Sequence, residues 1–143
     1  MGWGLFWATL GIFALWSAVL CVHDMRYRRL PNALTLPPAL ACLAASCVAP
    51  TLGWGMAWPA LYLFAGRGIG GGDVKLAVPL GVVLAGLGGG VAVLAAIAVA
   101  GGLTVAFGLI LGRTRLPHGP QMLTAAWTIG TFVSLNSSAE VVM

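Results

Sequence analysis

Long apolar runs and short polar interruptions alternate along this chain, at a spacing that suits membrane-crossing helices and not strands. Residues 3–22 form an apolar run that ends at His23-Asp24 and a basic loop over 26–32. About 20 such residues cross a bilayer as one helix. No Lys or Arg precedes the run, no small-x-small cleavage site closes it, and Leu20 before Cys21 argues against a lipoprotein signal, so a retained first span is expected. The apolar stretch 33–65 is divided by the turn-forming cluster Pro50-Thr51-Leu52-Gly53 into pieces of about 16 and 13 residues, read as a hairpin of two short spans. From 74 to 112 there are about 39 residues with Lys75 as the one charge, room for two spans with their turn over 86–90. After a loop at 113–120, a last span of about 16 residues is expected to end near Leu135, before a polar tail over 136–140. The pattern predicts an all-α fold, a polytopic membrane bundle of about six transmembrane helices forming a single domain over residues 1–143.

Composition agrees. Of 143 residues 60% are apolar and 7% charged, with mean hydropathy +1.01, whereas a soluble domain carries roughly a quarter charged residues. Nothing is left over for an appended soluble catalytic or nucleotide-binding module, so any chemistry sits in the bundle or its loops. The net charge of +4 comes from Arg26, Arg28 and Arg29, from Arg67 and Lys75, and from Arg113 and Arg115. With six spans all of these fall on one side. The excess of Lys and Arg on cytoplasmic loops makes that side cytoplasmic and the N-terminus external, a topology signal and not a nucleic-acid face. Trp3, Trp54 and Trp58 suit an interfacial aromatic belt. Cys21, Cys42 and Cys47 lack CxxC spacing and read as packing residues. Ala92, Ala96, Ala100, Thr104, Gly108 and Gly112 recur every four residues, a small-residue stripe for close helix packing within the chain before it is one for a dimer.

The acidic residues are Asp24, Asp73 and Glu140. Glu140 lies in the polar tail. Asp24 and Asp73 both fall at cytoplasmic helix ends, at similar depth, where helix packing can join them. An ionisable residue at membrane depth is a functional candidate; the bland alternative is a helix-end Asp paired with a neighbouring Arg. Asp73 follows Gly68-Ile69-Gly70-Gly71-Gly72, which leaves backbone bare for close approach. It lacks P-loop spacing, and an Asp at its end would repel phosphate; a flexible linker remains an alternative. If the two carboxyls meet in a partly dry site they share one proton, with Asp24, at a helix C-terminus, expected to be the protonated partner more often. Such a pair can activate water against a peptide carbonyl.

These residues carry a resemblance. Gly70-x-Gly72-Asp73 is the GxGD motif of intramembrane aspartyl proteases, and Gly72-Asp73-Val74-Lys75-Leu76 resembles its form in bacterial type IV prepilin peptidases. Asp24, followed by a basic stretch and then Pro31-Asn32-x-Leu34-Thr35, is similar to that family's first-aspartate motif, and Pro117-His118-Gly119-Pro120 to its Pro-x-Gly-Pro loop. Three ordered motifs span nearly the whole chain. The resemblance implies a cytoplasmic-face endopeptidase of the inner membrane that clips the basic leader from prepilins, with Asp24 and Asp73 as catalytic pair. Gly70, Gly72, Lys75, Pro31, Asn32, Pro117, Gly119 and Pro120 are the supporting motif residues. Lacking the CxxC-bearing loop of larger members, the chain looks like the peptidase-only form of Flp or Tad-type pili, without methyltransferase activity. It departs from the pattern in the short segment between the first two motifs, and in His118, where an aromatic or aliphatic residue is expected.

No cofactor is expected. A metal site built on His23, His118 and the two Asp finds no support in the spacing, with His118 read instead as an interfacial loop residue. Lys75 is read either as a substrate contact or partner of Asp73, or as a positive-inside anchor. The arginines at 26, 28 and 29 are anchors first. The expected partners are a prepilin and the lipid bilayer, with oligomerisation left open. The rival functions are a small proton- or cation-coupled transporter using the same two Asp, which would more naturally show a midplane site or internal repeat, and a non-catalytic assembly subunit built on the small-residue stripe.

Overall fold

The computed structural model describes residues 2–65, 69–113 and 116–142, with the side chains of 2, 3, 5, 6 and 140–142 outside that description. Gly68, Arg67 and Arg115, and the Trp3 and Glu140 side chains, thus lie outside the described residues. Five helices follow one another, with no strand among the described residues: α1 Gly2–Tyr27, α2 Asn32–Val48, α3 Ala57–Ala65, α4 Gly71–Leu111 and α5 Gly119–Val142, with a 3-10 segment Pro50–Met56 before α3.

Six spans do not emerge. Two helices, at Trp7–Tyr27 and Gly71–Leu111, are long and apolar enough to cross a membrane by length and composition. At 1.5 Å per residue the 17 residues of α2 reach about 25 Å and the 9 of α3 about 14 Å, below the hydrocarbon thickness of about 30 Å. The second limb of the expected hairpin is short because its first part winds as the 3-10 segment. There Gly55 lies backbone to backbone against Gly81 of α4, so close that a Cβ on either would overlap the other's main chain.

The 41-residue α4 is two arms. A straight helix would hold Asp73 and Thr104 about 46 Å apart, yet both lie beside Tyr62, Thr104 through the His118 ring. The reversal occurs at Gly88 (φ −146°, ψ 22°) and Gly89 (φ 62°, ψ −158°), inside the expected turn, and the Gly89 conformation is open essentially to glycine alone. Trp54 packs on Gly90, and Val133 of α5 on Gly88, closing the reversal from both sides.

The core is built on the first arm. Leu76, Leu80 and Leu84 recur at helical spacing and meet Leu20 of α1, Trp58 and Tyr62 of α3, and Met122, Leu123 and Ala126 of α5. From the second arm come Ala92, Ala96 and Ala100, all buried, so the first half of the small-residue stripe packs inside the chain. Trp58 is fully buried, not an interfacial residue as expected, while Trp54 is exposed. Cys21 and Cys42 are half-buried, but Cys47 is exposed and so does not pack. Large apolar side chains such as Val48, Phe64, Val91 and Leu109 face outward on several helices, a surface that lipid accommodates.

Helix ends differ from expectation for local reasons. α1 runs on to Tyr27, and Asp24 lies one turn inside it. Its carbonyl accepts the N–H of Arg28, whose left-handed φ of 50° stops the helix. α5 continues through the tail over 136–140, where Ser134, Ser137 and Ser138 hydroxyls donate back to carbonyls one turn earlier. The register of α1 is set by two indoles. Trp16 Nε1 donates to the Leu34 carbonyl at 2.9 Å and Trp127 Nε1 to Ser17 Oγ at 3.2 Å, with Phe13 between the two rings.

Candidate active site

Asp73 is seated locally. It is the third residue of α4, and its Oδ2 accepts the N–H of Gly70, the residue before the helix, at 3.3 Å. A carboxylate there faces unpaired amides and the positive end of the helix dipole. Gly70, Gly71 and Gly72 have ordinary negative φ, so their use is room and not unusual conformation. At Gly72 the room is taken: a Cβ would stand 3.0 Å from that of Leu30.

Asp24 is buried, 5% exposed, on α1. Burying a carboxylate without partners is costly. Its partner comes from the far end of the chain: Gly119 N–H donates to Oδ2 at 2.9 Å, and Gly119 opens α5. A Cβ at Gly119 would lie 2.8 Å from that oxygen, so the contact needs glycine. Asp24 therefore sits at the N-terminus of α5 as well as in the last turn of its own α1. The expectation that it holds the shared proton rested on α1 alone; the amide and dipole of α5 act on it in the opposite sense.

Asp73 lies within range of the charge of Asp24. Each carboxylate is held by one backbone amide on Oδ2, and neither accepts a protein hydrogen bond on Oδ1 among the described residues. No Arg pairs with either acid among those residues, which removes the bland helix-end reading there.

The motif residues around them also meet. Lys75 Nζ donates to Asn32 Oδ1 at 2.8 Å, joining the start of α2 to α4. Lys75 is thus bound to Asn32, and no ion pair with Asp73 occurs among the described residues. The Pro31 carbonyl accepts from Leu34 and Thr35 N–H and from Thr35 Oγ1, which starts α2. Pro120 occupies the first turn of α5, where a missing N–H costs nothing. Pro117 stands in the loop before it. A groove of about 380 Å³ between α1 and α5 includes Cys21, one turn before Asp24, and Pro120, directly after Gly119.

Matching the sequence against family models decides the kinship: residues 11–135 fit the type IV leader peptidase family. The chain belongs to that family. This prepilin peptidase matches no curated protein and no solved structure. As a member it is a protease of the prepilin leader peptidase type.

Three polar residues of the peptidase near Asp24 and Asp73 were not legible as site residues. Tyr62 is buried on α3, Thr104 appears in the sequence only as part of the small-residue stripe, and His118 as a loop residue. The His118 ring meets both others, Nε2 at 2.7 Å from Tyr62 Oη and Nδ1 at 2.8 Å from Thr104 Oγ1. Burial lowers the His118 pKa below the usual imidazole value, against the opposing influence of Asp24. His23, in contrast, uses Nδ1 to donate to the Arg29 carbonyl at 2.8 Å and shapes the basic loop. The one signal for Tyr62 was a lone phenol in an otherwise apolar helix, since a buried Tyr hydroxyl ordinarily finds a partner.

Proposed function

We propose that this peptidase is a membrane-embedded aspartyl endopeptidase in which Asp24 and Asp73 share the work on one water molecule. The ionised carboxylate takes a proton from the water as its oxygen attacks the scissile carbonyl, and the protonated partner donates to the carbonyl oxygen. The tetrahedral intermediate collapses as the carboxyl that took the water's proton passes it to the departing nitrogen and the C–N bond breaks, while the other carboxylate recovers its proton from a hydroxyl of the intermediate as the carbonyl re-forms. The observation that carries the reading is the pair of matching seats: two acids from remote parts of the chain, each tethered through Oδ2 to one amide at a helix start, with Oδ1 left for water and substrate. The substrate is the leader of a type IV prepilin of the Flp type, presented at the cytoplasmic face of the inner membrane, where the basic residues near both acids belong. The groove between α1 and α5 gives an extended segment a place to lie about one turn from Asp24. No methyl transfer accompanies the cleavage, and no metal or cofactor takes part.

The test is cleavage of a purified Flp-type prepilin by the full chain in lipid nanodiscs. Wild type shortens the substrate at its leader. Asp24→Asn and Asp73→Asn, with unchanged helix content, each abolish the product. Cleavage that survives either replacement overturns the reading, and ion uptake lost in the same variants without any cleavage favours transport instead.

A further inference from the structure

Tyr62, His118 and Thr104 come from α3, the loop before α5 and the second arm of α4, and their hydrogen bonds close on one ring. The proton positions follow from counting. Thr104 Oγ1 has a single proton and donates it to the Ala100 carbonyl at 2.9 Å. Towards His118 it is therefore an acceptor, so Nδ1 carries the ring hydrogen. In a neutral imidazole Nε2 is then bare, and the contact at 2.7 Å is the Tyr62 hydroxyl donating to it. Both nitrogens are occupied by protein, which leaves neither free for substrate. His118 is accordingly not placed to act as an acid or base itself.

Its position in the chain supplies the role. The residue after His118 is Gly119, whose amide holds Asp24. Fixing the ring from two sides fixes the peptide that follows it, and a misplacement of about 1 Å at a reacting group costs on the order of a hundredfold in rate. We propose that Tyr62 and Thr104 lock the His118 ring in its Nδ1–H form and thereby aim the Gly119 amide at Asp24, making His118 a positioning residue of the protease. The inference rests on Asp24 being catalytic as read above. The charged and titratable groups near the ring are Asp24 on α1 and Tyr62 on α3, with Asp73 of α4 beyond Tyr62.

Two measurements test it. In full-length protein labelled with ¹⁵N-histidine, in detergent or nanodiscs, His118→Gln identifies the His118 signals against those of His23. The expected spectrum shows Nδ1 protonated and Nε2 bare at neutral pH, with Nε2 gaining a proton at higher pH in Tyr62→Phe than in wild type. An Nε2–H form overturns the proposal, whether or not the protein cleaves prepilin. In the cleavage assay His118→Phe is expected to lower kcat about tenfold with KM within about twofold, for a partial loss of the aim. His118→Gln, whose Oε1 can accept from Tyr62, recovers most of that loss, and the recovery disappears when Tyr62→Phe is added. Where His118→Phe does not fold, Thr104→Val, which removes the acceptor for Nδ1–H, gives the same lowered kcat. Wild-type kcat in His118→Phe, or rescue by Gln that persists without the Tyr62 hydroxyl, overturns the proposal.

Discussion

Asp73 takes its hydrogen bond from a residue three positions earlier, whereas Asp24 takes its own from an amide 95 residues further on. The first seat forms whenever the start of α4 forms. The second exists only when α1 and α5 are packed together, the loop before α5 is in place, and the indoles of Trp16 and Trp127 hold α1 in register. One acid is thus positioned by local backbone and the other by tertiary structure. The seats should differ in how they respond to small changes in the residues that build them.

The largest difference is expected at Gly119. In Gly119→Ala the new Cβ would stand 2.8 Å from Asp24 Oδ2, so the carboxylate or the first turn of α5 must move. A kcat for prepilin cleavage lower by about a hundredfold is expected, with helix content retained. Activity within about threefold of wild type would mean that Asp24 does not depend on the close approach of α5, and the contrast between the seats would fail.

Gly72→Ala probes the junction between the GxGD segment and the loop before α2, since its Cβ would lie 3.0 Å from Leu30 Cβ, just before the Pro31-Asn32 motif. Leu30 is buried and must give way, so a loss of about 1–2 kcal/mol in stability is expected from denaturant unfolding in detergent micelles. The expected fall in kcat is smaller than for Gly119→Ala, because the strain falls between elements and not on a carboxylate. Lys75→Met removes the bond to Asn32 across the same junction. That bond is solvent-exposed and water competes for both partners, so a cost of about 0.5 kcal/mol is expected, read by the same unfolding measurement. A loss above about 2 kcal/mol would place Lys75 among the residues that hold the junction.

What was legible in the sequence follows the same division. The GxGD segment marks its own helix start, and the glycines over 86–90 mark a reversal, because local backbone chemistry decides both. Asp24 and Asp73 could be paired from motif order and charge placement, and the fold leaves Asp73 within range of the charge of Asp24. Span counting failed where contact and not length sets the structure: the approach of Gly55 to Gly81 winds 50–56 into a 3-10 segment and shortens α3, which no count of apolar residues registers. Trp58 looked interfacial because its position along the chain said so, yet it fills the core beside Tyr62. His118 looked like a departure from a pattern. Its two ring partners are 14 and 56 positions away, beyond the reach of any periodicity.

The smallest effect is expected from the same chemical change as the largest, made at the other seat. Gly70 has φ −72° and ψ 146°, an extended conformation open to any residue, and an added Cβ would stand 3.4 Å from Asp73 Oδ2, an ordinary contact. The N–H that Asp73 uses stays in place, because it belongs to the backbone. Alanine before a helix start is less favourable than glycine by under about 1 kcal/mol, so Gly70→Ala should keep kcat within about twofold of wild type. Each of the two glycines donates one amide to one carboxylate, yet only Gly119 is pressed against the oxygen it serves. Side-by-side assay of the two alanine variants therefore separates the supply of an amide from the closeness of the backbone that bears it. If Gly70→Ala proves as damaging as Gly119→Ala, the first glycine of GxGD acts through contacts with substrate, and the seat of Asp73 is not the self-contained structure that its local hydrogen bond implies.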